Sequence, residues 1–124
     1  MNPILTKSYD AEGAIADHTI VKVGAADGGV LAATASTEAL IGVTDAPGGV
    51  VSGDRVDVVR AGIADVLYGG AVALGDWLTT DASGKAVAAA PAAGVNANVI
   101  RRAEVAGVLN DIGKVMLAPG RIQG

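Results

Sequence analysis

The chain has 124 residues, a formal net charge of −4 and no cysteine. That length holds one folded domain and not two. The missing cysteine excludes a disulfide scaffold, thiolate metal sites and thiol catalysis. A hydrophobic share of 51% and a mean hydropathy of +0.46 exclude a disordered chain. Nine basic residues scattered among thirteen acidic ones make a poor footprint for nucleic acid or an anionic membrane, so neither is expected as a partner. Glycine, at 18 residues, is about twice its usual share of ~7%. Phenylalanine is absent, and one Trp and two Tyr are the only aromatics. The interior must be built from Val, Ile, Leu and Ala, a thin core that asks for a partner or a second copy.

In chain order, Met1 to Glu12 has no period, and residues 1–16 read as an extended arm containing Ile4, Leu5 and Tyr9. The start lacks the basic and apolar regions of a secretory leader, which suits synthesis in a cytoplasm. His18–Val23 is β-branched and reads as a strand. Ala26-Asp27-Gly28-Gly29 marks a hairpin into Val30–Ala33. Leu40–Thr44 is the next strand, ended by the turn cluster Asp45–Gly49. Asp54–Arg60 is the clearest strand, and Gly62 implies a bulge before its continuation Ile63–Tyr68. Ala71–Thr80 follows, containing Trp77, then a turn over Asp81–Gly84 and a return strand over Lys85–Ala88. Ala89–Ala97 reads as a loop, Asn98–Val105 and Lys114–Ala118 as strands, and Pro119-Gly120 as the end of the domain. Short helical turns fit Thr37–Leu40 and Ala71–Leu74, but no 3.6-residue period lasts three turns. The chain is therefore expected to be all-β: a small barrel or sandwich over 17–119, with an arm before it and a tail over 120–124.

The residues that could carry chemistry are few. His18 is the sole histidine, too little for a triad or a two-histidine metal site. Asp54 and Asp57 point to opposite faces of a strand and form no carboxylate pair. Gly48–Gly53 has the spacing of a phosphate loop, but Asp54 stands where the lysine belongs. Gly49–Gly53 fails as a nucleophile elbow because its serine is one position late. The aspartates lack the alternation of a calcium loop. No catalytic residue, cofactor or metal site is expected. Arg101-Arg102 is the one basic doublet and reads as a solvated strand edge. Trp77 fits either the core or an interface, and so does Tyr68.

His18–Gly28, Leu40–Asp45, Gly53–Ala64, Tyr68–Gly70, Gly75–Asp81 and Ala118–Gly124 together resemble segments of tailed-bacteriophage capsid decoration proteins, also called cement proteins. The order and spacing of these segments carry the resemblance from about Asp17 to the end. It implies a non-enzymatic virion protein on the outer surface of an icosahedral head. The partner it implies is the major capsid protein, whose neighbouring subunits it bridges. A homo-oligomer follows too, a trimer in preference to a dimer. The expected contact residues are Ile4, Leu5, Tyr9, Tyr68, Trp77, Arg121 and Ile122. The competing readings are another phage structural part (head completion or tail), a free-standing β-barrel binding module, and a small hydrolase using aspartates alone.

Overall fold

A computed structural model describes residues 2–124, and they form nine strands and no helix. The strands are β1 (Asn2–Ala11), β2 (Ile20–Val23), β3 (Gly29–Ala32), β4 (Leu40–Asp45), β5 (Arg55–Leu67), β6 (Trp77–Thr80), β7 (Ala86–Ala88), β8 (Asn96–Ala103) and β9 (Ile112–Gln123). They make one mixed sheet in the order β1-β3-β2-β4-β5-β9-β8-β6-β7, with β1 also paired to β5. The all-β expectation holds, but the sheet is not a true barrel. Its first five strands close on themselves only through a two-residue parallel contact of β1 with β3. The last four strands extend from β5 as an open sheet.

β5 organises both parts. One edge takes β1, with Asn2 opposite Ile63 and Asp10 opposite Arg55. The other edge takes β4 over Asp57–Val59, then β9 over Gly62–Leu67. Val56 and Val58 face one core cluster, whereas Val59, Ala64 and Val66 all face the other. Strict alternation cannot place Val59 with Ala64. The phase slips at Gly62, whose φ is +96°, opposite the register shifts in β1. A Cβ there would lie 2.5 Å from the Asn2 carbonyl oxygen and the Ile4 nitrogen. Only glycine lets β1 lie this close, and the bulge expected from the sequence is the device that joins the two halves.

The smaller core cluster joins Tyr9, Ala11 and Ile15 to Val21, Val30, Val56 and Val58 within the five-strand part. The larger one spans the junction and the open sheet, from Ile20, Val43 and Val59 to Tyr68, Leu78, Ile100 and Val115. The hairpin expected at Asp27-Gly28 joins β2 to β3, with Gly28 at φ +74°.

Both ends of the chain are strand. The arm is a strand of the domain: residues 2–11 pair with β5 in the same chain, because β5 offers a free edge where β4 and β9 do not reach. The tail is also strand, since β9 continues through Pro119 to Gln123. Pro119 is tolerated because it falls where the β8–β9 register shifts: Ala118 and Pro119 together face Ile100, so β9 carries one residue more than the ladder needs. Within Ala71–Thr80 only Trp77–Thr80 is strand, and residues 71–74, where a helical turn was a fit, are a loop without helix. Thr37–Leu40 is likewise a turn leading into β4.

Candidate functional site

Two loops meet at one end of the open sheet, and their sequences are unusual for loops. Gly69–Gly75 and Val105–Leu109 contain no polar side chain. Val72 and Gly107 exchange backbone hydrogen bonds of 2.9 and 3.0 Å, and the Gly75 amide donates to the Ala103 carbonyl at 2.9 Å. That antiparallel ladder places Leu74 across from Val105. Each loop turns on an aspartate: the Ala73 amide donates to Asp76 and the Val108 amide to Asp111, both at 2.9 Å. The result is a cap of exposed aliphatic groups: Leu74 at 72% exposure, Val105 at 37%, Val108 at 60%, Leu109 at 57% and neighbouring Ile112 at 60%.

Tyr68 holds the cap from below. It is fully buried, and its hydroxyl donates to the Val105 carbonyl at 2.6 Å. Its amide donates to the Asp111 carbonyl, and its carbonyl accepts from the Asn110 amide. Glycines form the seat of the ring: a Cβ at Gly107 would lie 2.8 Å from the ring, and one at Gly113 would overlap the phenol carbon and oxygen. Burial pushes the Tyr68 phenol above its ordinary pKa of 10.0.

Trp77 lies beside this cap. It pairs across strands with Arg102, whose guanidinium carbon is 4.2 Å from the indole centroid, and that of Arg101 is 5.8 Å away. Arg102 Nη1 donates to the Gly75 carbonyl at 3.0 Å, which ties the arginine to the Leu74 loop. Arg101 has φ +123° at the β8–β9 register shift, which lets two consecutive arginines reach the same ring. The ion pairs among the described residues leave both arginines out. Met116, 44% exposed, pairs with Arg102 on one side and with Ile63 on the other. Lys114 and Asp65 form a 2.7 Å ion pair between the same two strands as Met116 and Ile63, and Lys114 holds the Asp65 carboxyl below its ordinary pKa.

The seven contact residues expected from the sequence fall in three separate places. Ile4 (83% exposed) and Leu5 (50%) lie on β1. Tyr9, at the far end of that strand, is buried in the smaller core cluster and accepts a hydrogen bond from Arg60 Nη1 at 3.1 Å. Tyr68 lies under the cap and Trp77 beside it. Arg121 and Ile122 lie on the β8–β9 ribbon, where Arg121 Nε donates to Asn98 Oδ1 at 3.1 Å. Tyr9 and Tyr68 are buried within the chain, where their neighbours enclose them. Leu74, Val105, Val108, Leu109 and Met116 escaped the sequence reading. The available signal was the absence of any polar side chain from two segments bounded by glycines and aspartates.

The other sequence candidates are structural. Asp54 accepts the Val51 amide at 3.1 Å, so the glycine-rich stretch is an aspartate-closed turn. His18 lies 3.3 Å from Asp17, and its carbonyl accepts the Leu67 amide. Among the described residues, no three His, Asp or Glu side chains converge as metal ligands do. None of their helices could cross a membrane, since they form none.

No family model matches the chain, and no curated protein matches it. Among solved structures it is similar to the N base of head fiber gp8.5 in bacteriophage phi29, with a TM-score of 0.65 and 17% sequence identity. The alignment covers 92% of this chain and 93% of that one. At this identity the likeness is one of fold: both are built on the same arrangement of strands over nearly their whole lengths.

Proposed function

We propose that this chain is a structural protein of a bacteriophage head, acting by adhesion and transforming no substrate. The observation that carries the reading is the fold likeness to a head fiber base, which leaves almost no part of either chain unmatched. The resemblance of six segments to capsid decoration proteins points the same way. So does the cap, since exposed aliphatic groups on a fixed scaffold suit a protein that works by contact.

In its finer form, the protein decorates the outer surface of the icosahedral shell and bridges neighbouring major capsid protein subunits, as a trimer in preference to a dimer. The physical basis is linkage. A ligand that binds only the assembled shell stabilises it by about 2.7 kcal/mol per site at a hundredfold excess over its dissociation constant. Repetition over the lattice multiplies that term, and an oligomer adds avidity because its later contacts form at high effective concentration. Ile4 and Leu5 on β1, Trp77 beside the cap, and Arg121 and Ile122 on the ribbon are the surface groups offered to such contacts.

A second reading is favoured by the name of the neighbour: a base that seats a fibre on the head rather than cement between subunits. Cryo-EM of the virion, with copy number from a stained gel, separates the two. Cement is expected in numbers comparable to the major capsid protein and touching two or more of its subunits. A fibre base is expected at isolated lattice points. Finding the chain in a tail, or absent from the particle, refutes the head assignment. Turnover by the purified protein of generic ester, phosphate or glycoside substrates refutes the non-enzymatic reading.

A further inference from the structure

We infer that the cap is the surface through which copies of this chain join one another. The inference gives a site to the self-association proposed above and stands whether or not the protein belongs to a phage.

The cap has the composition of an interface core and not of a loop end. Between Gly69 and Gly75, and again between Val105 and Leu109, there is no charged or hydrogen-bonding side chain. The aliphatic area it exposes is on the order of 500 Å² per copy, at the upper end of what monomers leave to solvent. Pairing two such surfaces would bury about 1,000 Å², where specific interfaces begin.

The cap is also already ordered. The Val72–Gly107 ladder, the two aspartate-closed turns and the buried Tyr68 hydroxyl hold both loops, so little entropy remains to be lost on association. Loops held this firmly by backbone bonds and a buried aromatic do not expose Leu74 and Leu109 through disorder.

Charge selects the partner. The ladder runs from Gly75 and Ala103 at one end to Tyr68, Asn110 and Asp111 at the other. Arg101 and Arg102 lie at the first end, outside every ion pair among the described residues. Asp111 lies at the second, with one carboxylate oxygen on the Val108 amide and the other uncommitted. Of the other charges nearby, Asp76 accepts the Ala73 amide through one oxygen as Asp111 does with Val108, so the first end carries two cations against one anion, and Lys85 is bonded to Asn110. An apolar strip with a cation at one end and an anion at the other complements itself: the arginine end of one copy meets the Asp111 end of the next, and the aliphatic groups close between them. Because the same strip faces itself, each end meeting the opposite end of the other copy, the joint is isologous and closes at two copies, the dimer named above as runner-up. A partner with a basic surface fits the Asp111 end alone, whereas a second copy satisfies both ends.

Sedimentation velocity on the full-length protein across a wide concentration range tests this. The wild type is expected at a multiple of its 12.1 kDa mass. Leu74→Asp with Leu109→Asp is expected to sediment as a monomer, with wild-type far-UV circular dichroism because neither side chain supports the core. Arg102→Glu is expected to raise the dissociation constant about thirtyfold, the effect of one interface hot spot. Ile4→Asp with Leu5→Asp, on β1, is expected to leave the mass unchanged. If the double cap variant fails to fold, Leu74→Lys replaces it. A wild type that is monomeric throughout overturns the inference, as does a folded cap variant that still associates or a β1 variant that dissociates. Binding of that same wild type to phage heads is a separate measurement, so a monomer that still decorates heads sinks the cap joint and leaves the head assignment standing.

Discussion

Replacing Tyr68 by Phe removes one oxygen from the centre of the molecule. The ring keeps its seat against Gly107 and Gly113, so packing is preserved and the hydroxyl is isolated. The lost bond is the 2.6 Å contact with the Val105 carbonyl, which is left without its donor. An orphaned buried acceptor costs about 1–3 kcal/mol, and Val105 is only partly covered, which puts this one toward the low end, about 1–2 kcal/mol. For a domain of this length each kcal/mol moves the melting temperature by about 4 °C, so the expected fall is about 4–8 °C. Tyr68→Ala empties the seat as well and is expected to cost about 3–5 kcal/mol. Differential scanning calorimetry measures both, and amide exchange at Val105–Leu109 reports whether the cap loosens with them. A Phe variant that melts with the wild type and protects those amides equally would refute the role given to the hydroxyl. An Ala variant no worse than Phe would refute the packing.

Three further outcomes follow from single features. Gly62→Ala forces a side chain into a left-handed conformation and against the β1 backbone, at about 1–3 kcal/mol from strain alone; trypsin should then cut after Lys7 faster, and an unchanged cleavage rate would mean that β1 does not depend on this seat. Arg102→Ala uncovers one side of the only indole, so acrylamide quenching of Trp77 should increase and its emission shift to the red; an unaltered spectrum contradicts the stacking. The third concerns acid. For Glu38 partial burial opposes ionisation, but the Lys22 ammonium, the Thr34 and Ala35 amides and the Thr34 hydroxyl outweigh it and lower the pKa from 4.5 to about 2. Glu12, through the Ala25 and Ala26 amides, and Asp65, through Lys114, are shifted the same way. Carboxyls lowered in the folded state stabilise it above their unfolded pKa and lose that effect as pH falls through the folded value. The urea midpoint should therefore hold near neutrality and decline from about pH 4.5 toward pH 2; a flat profile would show that these bonds contribute nothing.

Local physics made much of this protein legible without a structure. Thr19–Val23 and Val56–Val59 are β-branched runs with few conformations other than strand. Asp27-Gly28 is a hairpin by its own backbone preferences, and Gly62 marks a break in alternation because no other residue adopts its φ without strain. The composition announced an interior built mostly from aliphatic side chains.

Tertiary contact decided the rest. Nothing in Asn2–Ala11 states that it is a strand, because its pairing depends on the free edge of β5 some fifty residues away. Tyr9 and Tyr68 could each have been a surface anchor or a core ring. Burial belongs to the neighbours and not to the residue: Gly113 leaves room for the Tyr68 phenol only after β9 has been laid along β5. The cap was hidden for the same reason. Gly69–Gly75 and Val105–Leu109 look in the sequence like short apolar runs destined for the interior, and it is their pairing across the end of an open sheet, with no further layer above them, that leaves their aliphatic side chains facing water.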